Sequence, residues 1–148
     1  MYHHHLNKEF KPASFLTVNK GKTFNAVVTD IGSDKVIEAY IKEQNVVIRV
    51  NNAYILTPIS RTFQAKDLKL YTQRVILHQD VQLTICDYSQ ERDIFLCEII
   101  NNGKNFAHQL LMNGFAKLDI DTVCELDPSK IQALKEQQEI ASANSLRI

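Results

Sequence analysis

"TFNAVVTDIGSDKVIEAYIKEQNVVIRV", residues 23–50, is the stretch on which the fold turns. Its first part, 23–31, is rich in β-branched residues and ends at Gly32-Ser33-Asp34, a turn signal. Residues 35–42 then alternate. Lys35, Ile37, Ala39 and Ile41 fall on one side, with Val36, Glu38 and Tyr40 on the other, the period of two of a half-buried strand. Glu43-Gln44-Asn45 turns the chain again into Val46-Val47-Ile48-Arg49-Val50, another short β run. The stretch therefore predicts three strands in a meander.

Working outward, residues 1–21 have mixed polarity and no sustained period. They read as a lead-in that docks only in part, or as a tag remnant or disordered terminus carrying His3-His4-His5. Residues 51–60 extend the third strand or form a loop. From Arg61 the period lengthens, and Phe63, Leu68, Leu70, Tyr71, Val75 and Ile76 suit the apolar stripe of a helix. Two more strands follow. In 81–88, Val81, Leu83 and Ile85 share a face; 92–100 is almost continuously apolar and reads as buried on both faces. Asn101-Asn102-Gly103 is a turn, and 104–114 a short helix with Phe106, Leu110 and Leu111 on one side and Gly114 just past its end. A last helix begins with Asp127 as N-cap and Pro128 at its first position; Ile131, Leu134 and Ala141 face inward, Lys135, Glu136 and Glu139 outward. The order βββ-α-ββ-α-α is the plan of an α+β protein built on a five-stranded Greek-key barrel, the OB-fold, with three flanking helices. The barrel domain spans 22–148.

At 148 residues the chain fits one domain with a substantial core. Seventeen basic and seventeen acidic residues leave a net charge of +0, so no bulk basic excess argues for nucleic acid. Cys86, Cys97 and Cys124 form no CxxC pair, which excludes a zinc signature and a disulfide framework and suggests reduced, mostly buried thiols. No apolar run approaches the roughly 20 residues that span a bilayer, and no P-loop, GxGxxG or Ser-His-Asp pattern appears.

The second half, "AKDLKLYTQRVILHQDVQLTICDYSQERDIFLCEIINNGKNFAHQLLMNGFAKL" (65–118), together with the ending "ALKEQQEIASANSLRI", resembles the staphylococcal-nuclease-like domains, including those of Tudor-SN proteins, over about residues 22–148. Active members of that family are calcium-dependent phosphodiesterases. A D-G-D-T turn and a D-T-P-E loop supply carboxylates, and two arginines hold the scissile phosphate. Calcium needs about 6–8 oxygen ligands, the attacking water needs a proton acceptor, and the developing phosphate charge needs fixed guanidiniums.

Residue by residue, the resemblance puts Asp34 on a metal-binding aspartate and Lys35 on the neighbouring threonine. Leu56 takes the place of the second metal aspartate, and Ile59 that of the glutamate associated with the water. Arg92 falls on the second phosphate arginine. For the first, Arg49 and, in a gapless match, Asn51 both stay open. Leu56 and Ile59 can neither bind a cation nor accept a proton, so the resemblance implies a barrel without its chemistry: no catalytic residues, no metal, no cofactor.

Several residues carry a second reading. Asp34 suits a plain turn residue, and Arg92 a salt bridge to Asp87 or Glu91. Tyr88 in "CDYSQ" invites comparison with a Tudor aromatic cage. Tyr40, Tyr54, Phe63 and Tyr71 are stacking aromatics for nucleic acid or core aromatics. Lys20, Lys22, Lys35, Lys42, Arg49, Arg61 and Lys66 either converge near the barrel mouth or cover an ordinary wet surface. The expected function is a scaffold module of an RNA-processing or RNA-silencing factor, cytoplasmic or nuclear, binding protein partners through Arg49, Tyr54, Leu56, Ile59, Arg61 and Arg92. The alternatives are single-stranded RNA binding by the same surface, and a nuclease rearranged around Asp67 or Asp87.

Overall fold

The computed structural model describes residues 10–32, 36–53, 55–56, 63–118, 132, 135–136 and 139–140. In chain order the elements are α1 (Pro12–Asn19), β1 (Thr23–Ile31), β2 (Ile37–Ile41), β3 (Val46–Asn52), β4 (Ile55–Leu56), α2 (Phe63–Ile76), β5 (Asp80–Ser89), β6 (Ile94–Asn101), β7 (Lys104–Asn105), α3 (Phe106–Met112) and β8 (Lys117–Leu118). Strands β1, β2 and β3 form the expected meander, with Ala26 opposite Ile41 and Ala39 opposite Ile48. β1 also pairs antiparallel with β5, and β5 with β6. The parallel contact of β3 with β6, Val50 to Phe95 and Asn52 to Cys97, closes the ring. The result is a closed five-stranded OB-fold-like barrel with a sixth, two-residue strand at its edge. Closure removes the exposed edges that an open sheet presents.

Alternation puts the apolar side chains inside. On β2, Ile37, Ala39 and Ile41 are buried while Glu38 and Tyr40 are half-exposed. Val81, Leu83 and Ile85 of β5 point into the same core. A bulge between Ile85 and Asp87 adds Cys86 to that core, because the extra residue breaks the alternation. β6 departs from expectation. It alternates, with Phe95, Cys97 and Ile99 buried and Leu96, Glu98 and Ile100 half-buried. Its outward side chains are only half-buried, so an apolar-rich strand is not a doubly buried one.

The lead-in holds a helix. α1 begins with Pro12 and delivers Phe15, which is 7% exposed, into the core. Gly21, at φ +84, then donates its N–H to the Ile85 carbonyl at 2.7 Å, tying the lead-in to β5. α1 shows no apolar period because Ala13, Phe15, Leu16 and Val18 spread around it and only Phe15 is fully buried. α3 starts where Asn105 accepts a hydrogen bond from the Ala107 N–H at 2.9 Å. It ends in a Schellman motif, Phe115 N–H to Leu110 O and Gly114 N–H to Leu111 O, with Gly114 at φ +75 as expected. Of the expected last helix, Gln132, Lys135, Glu136, Glu139 and Ile140 are helical and exposed; Asp127 and Pro128 lie outside the described residues. Among the described residues no helix is long and apolar enough to cross a membrane.

Candidate functional site

β3 carries Arg49 on the outside of the barrel, cross-strand from Glu38 of β2. Glu38 in turn accepts from the Thr29 hydroxyl of β1 at 3.0 Å. The Arg49 guanidinium reaches over the β3–β6 seam and donates to the backbone carbonyl of Arg92 at 2.9 Å. Two arginines forty-three positions apart thus share one exposed patch. Arg92 does not begin a strand: β6 starts at Ile94, and Arg92 sits in the β5–β6 turn, its N–H directed at Ser89 Oγ (3.4 Å). Among the described residues it makes no ion pair with Asp87 or Glu91. Asp87 instead accepts from the Tyr88 N–H at 2.8 Å.

The same turn is braced by Tyr88. Its hydroxyl donates to Asp93 at 2.6 Å, and its ring lies 4.6 Å from that of Phe95. The hydrogen bond to Asp93, with lesser contributions from desolvation and the carboxylate charge, pushes the phenol up to about 12. Behind it, Phe95 contacts Phe15 at 5.7 Å and Phe10 at 6.4 Å, and Phe15 contacts Phe24 at 5.4 Å. Tyr88 therefore belongs to an aromatic cluster joining α1 to the barrel, with its ring tilted against Phe95 and its hydroxyl engaged. A methyl-arginine cage needs open ring faces. Sequence reading found no aromatic near Tyr88 because Phe95 becomes its neighbour only through the hairpin register.

The other expected groups separate. Leu56 lies on β4, its backbone paired with Lys117 of β8. Asp34, Lys35, Tyr54, Ile59 and Arg61 lie outside the described residues. Tyr71 is packed between helices, 6.1 Å from Phe106 and 4.8 Å from Phe115, with burial raising its pKa and Arg74 opposing the shift. Tyr40 donates to Asn45 Oδ1 at 2.7 Å and so locks the β2–β3 turn. Lys42 is engaged by Asp80 at 2.8 Å in an exposed ion pair. Lys20, Lys22 and Lys66 are exposed on α1, its exit and α2. Cys86 and Cys97 are buried and neither is in a disulfide. His108 of α3 is held below its ordinary pKa by burial, with Glu98 acting in the opposite direction. Among the described residues no group of three or more His, Cys, Asp or Glu is placed to hold a metal ion.

What this patch offers is directional hydrogen bonding with mixed charge. Arg49 stands cross-strand from Glu38, and Arg92 lies between Glu91 and Asp93 in the β5–β6 turn. No family model matches the chain, and no curated protein is detectably similar to it.

Proposed function

We propose that this chain is a non-catalytic, staphylococcal-nuclease-like binding module that engages a protein partner within an RNA-processing or RNA-silencing assembly, in the cytoplasm or nucleus. One observation carries the reading. The two exposed arginines meet at the β3–β6 seam amid carboxylates, so the patch has donors and acceptors of both signs. Such a surface matches the polar rim of a protein interface. A polyanion favours an uncompensated positive field. The resemblance adds that positions 56 and 59 carry hydrocarbon where a nuclease needs carboxylates.

The contact of the Arg49 guanidinium with the Arg92 backbone also favours a second reading, single-stranded RNA held by these two exposed arginines. Fluorescence titration with single-stranded RNA at low and moderate salt separates the two. The module reading expects no binding at low salt, and a partner isolated with the wild-type chain that is lost with Arg49→Glu/Arg92→Glu. RNA affinity that falls steeply with salt and vanishes in that double variant establishes the RNA reading instead. Calcium-dependent cleavage of labelled DNA or RNA, abolished by EDTA and by Asp34→Ala, overturns both.

A further inference from the structure

The chain contains the pairs Asn102-Gly103 and Asn113-Gly114, and the fold treats them in opposite ways. An Asn-Gly pair is the least hindered setting for attack of a backbone nitrogen on the preceding side-chain amide, since glycine has no side chain to block the approach. We propose that Asn102 is a site of spontaneous deamidation and isoaspartate formation in the folded protein, and that Asn113 is protected from the same reaction.

Asn102 and Gly103 form the two-residue turn between β6 and β7, flanked by the pair Asn101–Lys104. Their φ values, 51° and 75°, are those of a type I′ hairpin turn. Both residues are exposed, and a Cβ placed on Gly103 would meet nothing within 4 Å. They line an open groove of about 290 Å³ with Asn25, Asp80, Gln82 and Ile100, which gives water and base free access. Among the described residues neither the Asn102 side-chain amide nor the Gly103 N–H is held by a hydrogen bond.

Asn113 is equally exposed, but its amide and the following N–H are both held. Its Nδ2 donates to the Gln109 carbonyl at 2.8 Å and to the Tyr71 hydroxyl at 3.4 Å. The would-be nucleophile, the Gly114 N–H, donates to Leu111 O at 3.2 Å within the α3 cap, and Gly114 is buried.

The reaction balances without a cofactor. Solvent base removes the Gly103 N–H proton, and the nitrogen forms a bond to Cγ of Asn102. The Cγ–Nδ2 bond breaks, and ammonia leaves with a proton from water. Water then opens the five-membered succinimide. Hydrolysis at Cγ leaves aspartate at position 102. Hydrolysis at the backbone carbonyl leaves an isoaspartyl link that adds a methylene to the main chain of the hairpin. Either product adds a carboxylate to a groove wall that already contains Asp80.

The test is to incubate the full chain in mildly alkaline buffer at physiological temperature and follow each Asn-Gly peptide by mass spectrometry, with isoaspartyl methyl-transfer labelling. A parallel sample is kept in denaturant, and Asn102→Gln serves as a variant whose longer side chain disfavours ring closure. The expected result is conversion at position 102 in the folded chain, with Asn113 slower by roughly tenfold or more because its hydrogen bonds must first break. That gap closes in denaturant, and Asn102→Gln removes the signal. Equal or faster conversion of Asn113 in the folded chain overturns the proposal. So does survival of Asn102 in the folded chain over a period that converts it in denaturant.

Discussion

Phe95 shares the centre of the aromatic cluster with Phe15. It is 2% exposed and touches Phe10, Phe15 and Tyr88. Phe95→Ala should cost about 3–5 kcal/mol, because both transfer energy and cavity formation count; urea denaturation measures it. Tyr88 makes a pH prediction. Its phenol is raised from 10.0 to about 12 in the folded chain, so the folded state holds that proton more tightly than the unfolded state. The associated stability is intact below pH 10.0 and is lost as pH rises through about 12. Asp93→Asn should bring the phenol back toward its ordinary value, read by ultraviolet titration of tyrosinate. An unchanged titration would show that Asp93 is not the cause. Sequence showed Tyr88 and Arg92 as candidates but not their partners, since Phe95 and Arg49 reach them only through pairing of separate strands.

Elements were legible where local chemistry is strong. β1, β2 and β3 follow from β-branched residues and alternation, and α3 from its apolar side and Gly114. Asn105 adds the N-cap, so Asn105→Ala should destabilise the fold by about 1 kcal/mol. Thermal unfolding measures this, and Asn105→Ser should recover most of the loss. α1 was not legible. Eight residues without an apolar stripe carry little helical signal, and this helix is stabilised by Phe15 entering an aromatic cluster supplied by β1 and β6. Phe15→Ala should therefore release α1 selectively. Its amides should lose hydrogen-exchange protection while those of β5 and β6 keep theirs. Equal loss across both would mean that α1 and the barrel form one cooperative unit at that position.

At the scale of the molecule, one apolar cluster runs from Phe15 through the barrel strands to Leu110 and Phe115. A single core predicts a single transition. With no tryptophan in the chain, tyrosine fluorescence and far-ultraviolet circular dichroism should report coincident urea midpoints. Separated midpoints would show that α2 and α3 unfold independently of the barrel. Net charge is a whole-chain property too. At +0 it sets no long-range field, so local arrangement decides partner chemistry. At the patch of Arg49 and Arg92, carboxylates accompany the arginines.

The sequence by itself determined the β1–β3 meander, the turns at Glu43-Gln44-Asn45 and Asn102-Gly103 and the alternation that gives β2 and β5 an inner and an outer face, because each depends on residues a few positions apart. Tertiary structure alone decided ring closure by the parallel β3–β6 contact, the meeting of Arg49 with Arg92 and the docking of α1. Those contacts join residues tens of positions apart, and their free energy arises only once the barrel has brought them within hydrogen-bonding or van der Waals reach.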